Sequence, residues 1–352
     1  MYFIQSFFIV KTGAVDIMMA IGNNFFYTRS LPCTLWFFDR SKEQDKHRKD
    51  KVLMLDARKI YRKVTSKVND FSPEQLRNLI CIVNLYRGNA KKFEKTVNDY
   101  LQTSANLAQE TAKIINSLQA CVKVLYNALL QFFEVLAKDN KEAVQFFADF
   151  RTQMEGATMV FEQQNKLVKA VTSGLTKKRP TSDILEDIAH QCRLLRKHQD
   201  KLIKELIDSI AEAQRQYQLS KNKEWKELNL KAQFEELKKL QQQLSGNITE
   251  EEYGLFHDTD YFWKQAHWLA SRFPEGAYSD VEGLCKIVTR KEIEDKDWSL
   301  SPGRYVGIDA AVDEDFDYEE RLNEIHIELD SLNEEAVVLA KKISENYKVL
   351  TV

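Results

Sequence analysis

No proline occurs between Pro73 and Pro180 or between Pro180 and Pro274, and only 5 prolines and 11 glycines punctuate the 352 residues. Tight turns draw on residues that tolerate or pre-set unusual backbone angles, so a chain this poor in them has few turns and long elements between them. Within the proline-free spans apolar residues recur three and four apart, as in Ile114, Leu118, Cys121, Leu125 and Leu129. That is the period of a helix with one buried face. Breaks are expected at Asp139-Asn140, at Ser173-Gly174 with Lys177-Lys178-Arg179-Pro180, and at Ser245-Gly246-Asn247, leaving segments of about 50, 33 and 64 residues. Helices of such length must pack on one another, and the pattern predicts long antiparallel helices over residues 89–245 that bury Leu125, Leu129, Phe132 and Phe133.

The amino-terminal part follows another pattern. It opens directly into strand-like sequence: Ala14 to Ile21 (AVDIMMAI), Pro32 to Phe38 (PCTLWFF) and Val52 to Asp56 (VLMLD) are short apolar runs separated by polar stretches. Continuously apolar strands belong in a sheet covered on both faces, and nothing before Ala14 reads as the rest of such a sheet. The charged stretch Ser41 to Lys51 (SKEQDKHRKDK) reads as a solvated loop at a hairpin tip. Ser72 as N-cap, Pro73 at the first helical position and Gln75 announce a helix to about Arg87, ended by Gly88.

After Gly246 the composition shifts to aromatics, eight of them between Tyr253 and Tyr278, which reads as a separate irregular module. The tail returns to helical spacing: Leu322, Ile325, Leu329, Leu332, Ala336, Leu339 and Ile343 alternate steps of three and four, the seam of a coiled coil that needs a partner helix. The expected divisions are thus 1–71 (partial sheet), 72–88 (connecting helix), 89–245 (helical), 246–315 (aromatic module) and 316–352 (coiled-coil helix), a mostly α chain with a small α/β part.

Composition bounds the chemistry. With 51 basic against 53 acidic residues the chain has no overall field that would hold nucleic acid, though a local patch is compatible with this balance. The five cysteines, at least 40 residues apart, form no CxxC or CxxH pair and read as free thiols of a reducing, cytoplasmic compartment. Gln5, Lys11 and Asp16 interrupt the apolar amino terminus, so neither a signal peptide nor a membrane span is expected. There is no GxGxxG, GxxxxGK[ST] or GxSxG sequence. His190 and His198 share a helix face without a converging third ligand, so no metal site is expected. Glu235-Glu236 and Glu319-Glu320 read as solvated helix faces. No self-contained active site can be assembled.

Three groups of residues are nevertheless distinctive: Asn23 to Phe38 (NNFFYTRSLPCTLWFF), Val52 to Lys59 (VLMLDARK), and Gly283 to Lys286 (GLCK) with Ser301 to Gly307 (SPGRYVG). In this order they resemble the carboxyl-terminal half of the modification (M) subunit of type I restriction-modification systems, over about Phe7 to Arg87 and Tyr253 to Leu350; residues 89–245 match no known pattern and read as a long insertion. The resemblance implies the C-terminal strands of a Rossmann-like sheet in an adenine-specific DNA methyltransferase. Such an enzyme binds S-adenosylmethionine, flips an adenine from the duplex and methylates N6, together with a specificity subunit and a restriction subunit. Two family motifs, a DPxxGSGG-like cofactor loop and an NPPF tetrapeptide, do not occur here. Asn23-Asn24-Phe25-Phe26 lacks the prolines that would fix an amide and a carbonyl against the adenine amino group, so no catalytic and no cofactor-binding residue is assigned to this chain.

By the same resemblance Phe26 matches a ring that stacks on the flipped base, with core packing as the alternative, and Arg29 lies close enough to reach a phosphate. Arg304 and Tyr305 either form a tight turn capping the aromatic module or contact DNA or the specificity subunit. The seam would dock on the long helices of the specificity subunit. Three readings remain: a truncated or split M subunit, inactive alone; a coiled-coil scaffold; and a regulator that binds the specificity subunit.

Overall fold

The computed structural model describes residues 2–26, 30–65, 67–141, 143–175, 182–247 and 252–308, and beyond them positions 325, 329, 332, 333, 336, 337, 339, 340 and 343. It is mostly helical, with one four-stranded mixed sheet. The chain divides into two compact units, Met1–Phe93 with Arg272–Val352, and Glu94–Ser271.

In the first unit helix α1 (Tyr2–Lys11) precedes strands β1 (Val15–Ile21), β2 (Cys33–Phe38) and β3 (Lys51–Ala57). The chain therefore enters through a helix, where direct entry into strand was expected. Phe7 of α1 stacks edge-on against Trp298, 4.9 Å between ring centres, and Val10 is in the sheet's core. A short hairpin of β4 (Arg62–Thr65) and β5 (Val68–Asp70) leads to α2 (Pro73–Tyr86). There Ser72 and Gln75 form a reciprocal capping box that satisfies two otherwise orphaned amides, and Gly88 follows with φ 76°, a left-handed conformation suited to glycine.

β1 and β3 are parallel, in register from Ile17–Leu53 to Ile21–Ala57. β2 lies antiparallel on the outer side of β1, and β8 (Cys285–Thr289) is antiparallel to β3 at the other edge. β1 is buried along its whole length, whereas β2 is an edge strand with Leu35, Trp36, Phe37 and Phe38 exposed. Because β2 and β3 flank β1 instead of pairing, residues 39–50 cannot be a hairpin tip. They cross the start of β1, and the charges are used there: Lys42, only 2% exposed, donates from Nζ to the Val15 carbonyl. Helix α9 (Arg290–Asp295) and the short turn Pro302–Arg304 also belong to this unit, whose core includes Val15, Met18, Met54, Val288, Trp298 and Tyr305.

The second unit contains α3 (Ala90–Asp139) from Glu94 on, α4 (Ala143–Gly174), α5 (Ser182–Gln216), α6 (Lys223–Glu227), α7 (Lys231–Ser245) and α8 (Leu255–Arg272) as far as Ser271, with strands β6 (Gly246–Asn247) and β7 (Glu252–Tyr253) paired before α8. Contacts Gln119–Gln164 and Phe133–Phe146 make α3 and α4 antiparallel, and Gln164–Gln199 and Phe146–Tyr217 do the same for α4 and α5. Leu125, Leu129, Phe132 and Phe133 are in its core. Gln119, Gln164 and Gln199 form a buried amide chain with links of 3.0 and 2.9 Å, and pairing polar groups inside an apolar bundle penalises sliding of the helices.

Two differences from expectation stand out. The segment after Pro180 is broken, since Gln218 and Asn229 adopt positive φ and Asn222 caps α6 by accepting from the Trp225 amide. Residues 255–272, read as irregular, form the 18-residue helix α8, whose apolar face buries Phe256, Trp263, Ala266 and Leu269. Among the described residues one helix, Ala90–Lys138, is also long and apolar enough by composition to cross a membrane; its Leu118, Leu125 and Leu129 face the helical core.

Candidate nucleic-acid interface at the end of the parallel strands

In open α/β sheets the carboxyl ends of parallel strands, where loops diverge, are the usual place for ligands. Here those ends are Ile21 and Ala57. Gly22 follows β1, and a Cβ built on it would stand 2.7 Å from the Arg58 carbonyl oxygen, so the two loops touch backbone to backbone and only glycine fits. The Asn69 amide donates to the Asn24 carbonyl at 2.8 Å and its side chain donates to the Asn23 carbonyl at 3.0 Å, which fastens the β4–β5 hairpin to the same loop. Phe25 turns inward onto Phe71, 4.7 Å between ring centres, and its neighbour Phe26 is 47% exposed. Arg29 lies outside the described residues.

On the β3 side, Asp56 accepts from Arg58 Nε at 2.8 Å and from Nη2 at 2.6 Å, a fork that holds the guanidinium at the rim with 53% of its side chain exposed. Gly303 packs against this pair, its missing Cβ falling 2.5 Å from Arg58 Nη2. The Pro302–Arg304 turn thus stands beside Arg58, as does Gly22. Arg304 is exposed. Tyr305 is buried, its hydroxyl donates to the Ser299 carbonyl at 2.6 Å, Lys296 Nζ lies 4.6 Å over its ring, and burial pushes its pKa up to about 12. Of the seam residues Leu322 lies outside the described residues, while Ile325, Leu329, Leu332, Leu339 and Ile343 are helical and exposed.

Sequence reasoning missed a cluster at the opposite end of β1. Asp16, fully buried, takes ion pairs from Arg48 at 3.2 Å and Arg87 at 2.8 Å and a hydrogen bond from the Tyr86 hydroxyl at 3.0 Å. Arg48 also pairs with Asp39 and Asp45. Burial lowers the Lys42 pKa to about 8. The available clue was an aspartate inside the otherwise apolar run Ala14 to Ile21, since a carboxylate there requires cationic partners.

Gly22 does not open a cradle for a nucleotide-like cofactor. Gly22 is the glycine at the carboxyl end of a strand of the four-stranded sheet, and the space beside it is filled by the Arg58 carbonyl instead of being left open for a ligand. Among the described residues no group of three His, Cys, Asp or Glu side chains could hold a metal ion.

Residues 5–110 match the family model described as N-6 DNA Methylase, under a third of the chain. The match takes in β1 to β3, the β4–β5 hairpin, α2 and the start of α3, and it supports an adenine N6 DNA methyltransferase family for this segment. Enzymes of that family normally use S-adenosylmethionine. No curated protein and no solved structure matches the chain.

Proposed function

We propose that this chain is a subunit, truncated or split, of a cytoplasmic type I restriction-modification DNA methyltransferase specific for adenine N6, and that it acts beside a specificity and a restriction subunit. The observation that carries the reading is the family match over residues 5–110, which spans the parallel strands and the loops at their carboxyl ends. Neither the glycine-rich cofactor loop nor NPPF occurs in these 352 residues, so in this reading the groups that bind S-adenosylmethionine and hold the adenine amino group lie outside them. The edge strand β2 is consistent with this. Its Leu35 and Phe37 on one face and Trp36 and Phe38 on the other are exposed, which suits a strand covered on both faces once a neighbouring sheet joins it. The exposed tail positions Ile325, Leu329, Leu332, Leu339 and Ile343 offer apolar side chains to a helix of the specificity subunit. Phe26 and Arg304, both exposed, are assigned to DNA in this reading, and so, from the sequence resemblance alone, is Arg29; Tyr305 supports the turn that presents Arg304.

A second reading, a non-catalytic regulator or scaffold that occupies the specificity subunit, is favoured by the filled position at Gly22. The two are separated by transfer of labelled methyl groups from S-adenosylmethionine to duplex DNA. The chain alone is expected to give none. With the specificity subunit and a polypeptide carrying the glycine-rich loop and NPPF, the first reading gives transfer that depends on this chain; inhibition of a complete M subunit by this chain instead supports the regulator.

A further inference from the structure

We infer that the β4–β5 hairpin is a backbone clamp for duplex DNA, an inference that rests on the placement of the DNA site at the carboxyl ends of β1 and β3. From Arg58 to Lys67 the sequence RKIYRKVTSK holds five cations and no carboxylate. Arg58, Lys59, Arg62 and Lys67 are exposed and Lys63 is half-buried. The two carboxylates that flank this run act as supports: Asp56 forks Arg58, and Asp70 receives Arg62 Nε at 2.9 Å and Nη2 at 2.7 Å across the hairpin. Each guanidinium is thereby fixed in direction while remaining more than half exposed, 53% for Arg58 and 55% for Arg62.

The hairpin is also aimed. Asn69 ties it to Asn23 and Asn24, and Gln75 Nε2 donates to the Tyr61 carbonyl at 3.0 Å, so it is held from both sides next to the loop that exposes Phe26. A two-stranded ribbon is narrow enough to lie along a DNA groove. Closely spaced cations on it match a polyanion with one charge per ~1.7 Å of helix axis. Fixed cations beside an exposed ring would hold the backbone while a single base is drawn toward the strand ends.

The full-length chain is titrated against a fluorescently labelled duplex at several salt concentrations, with three variants. In the triple variant Lys59→Gln, Lys63→Gln, Lys67→Gln, affinity near 0.1 M salt falls about tenfold or more and the slope of log K against log salt flattens by about one unit per lysine. The pair Lys59→Gln, Lys67→Gln, both exposed, gives about two-thirds of that flattening and covers the case in which the half-buried Lys63 disturbs the hairpin. A control, Lys113→Gln, Lys138→Gln, Lys201→Gln, removes the same charge from exposed helix positions and leaves the slope unchanged. An unchanged slope in the folded lysine variants, an equal loss in the control, equal competition by single-stranded RNA, or no duplex binding by the wild-type chain overturns the clamp. Methyl transfer in the reconstituted complex is read separately, so the subunit reading can survive the loss of the clamp or fail while the clamp stands.

Discussion

Arg48 Nη1 lies 3.2 Å from Oδ1 of Asp16, joining the middle of the crossing segment to a carboxylate that has no solvent exposure. Arg87 and Tyr86 approach the same carboxylate from the end of α2. Removing one member of a buried ion cluster leaves the others desolvated without compensation, which costs more than the pair itself contributes. Asp16→Asn is therefore expected to lower the stability of the sheet-containing unit by about 3 kcal/mol, read as a shift of its urea midpoint. A loss under ~1 kcal/mol would mean that water replaces the carboxylate.

Acid should loosen the same crossing segment. Asp39 accepts from the Ser41 hydroxyl and amide and from Arg48, and these bonds hold its pKa down at about 2. With a folded value below the unfolded one, its contribution is complete above about pH 4 and is lost as pH falls through 2. The advantage of wild type over Asp39→Asn, about 1 kcal/mol at neutral pH for a partly exposed pair, should shrink steadily between pH 4 and pH 2 in paired melts. A difference independent of pH across that window would contradict the assignment.

Two glycines at the strand ends should respond unequally. At Gly22 an added methyl meets the Arg58 carbonyl oxygen at 2.7 Å, a backbone atom that cannot move without disturbing β3. At Gly303 it meets the far end of the Arg58 side chain, which can give way only by loosening its fork to Asp56, a pair whose arginine is more than half exposed and therefore of small worth. Gly22→Ala is expected to cost about 2 kcal/mol and Gly303→Ala well under half of that, with the order checked by thermal melting of both variants side by side.

The tail seam gives a partner test. Leu329 and Leu332 are 53% and 54% exposed, so Leu329→Glu with Leu332→Glu should leave the melting temperature within a degree or two. If the proposed docking holds, co-purification with a specificity subunit should drop at least tenfold, as burying two carboxylates in a helix seam demands. Undiminished association with a folded double variant would remove the seam as the docking site.

The strands and the long helices were legible because their periods are strong: β1, β2 and β3 coincide with the three apolar runs to within a residue, and α3 and α4 end at the anticipated breaks. The capping box at Ser72 was legible because its chemistry is local. What was not legible depends on neighbours distant in sequence. The charged run Ser41 to Lys51 looks solvated until β1 is known to lie between β2 and β3, at which point Lys42 and Arg48 have buried partners. The break at Gln218 carries no proline or glycine, so only its positive φ reveals it. In the candidate site the pairing of Asp56 with Arg58 is local, but the approach of Gly22 and Gly303 to Arg58 comes from segments far apart along the chain.

Pairing of β3 with β8 has a consequence for synthesis. The Asp56 amide bonds to the Leu284 carbonyl at 2.7 Å, and the whole of Glu94–Ser271 is translated between the two partners. At ribosomal speeds of roughly 5 to 20 residues per second, β3 waits on the order of 10 to 50 s for its outer neighbour. The intervening helices, rich in local contacts, can fold during that interval, while a long-range strand pair cannot form before its second strand exists. A nascent chain stalled before Cys285, or a recombinant fragment that stops there, carries Leu53, Met54 and Leu55 on an unpaired strand edge and is accordingly prone to aggregate.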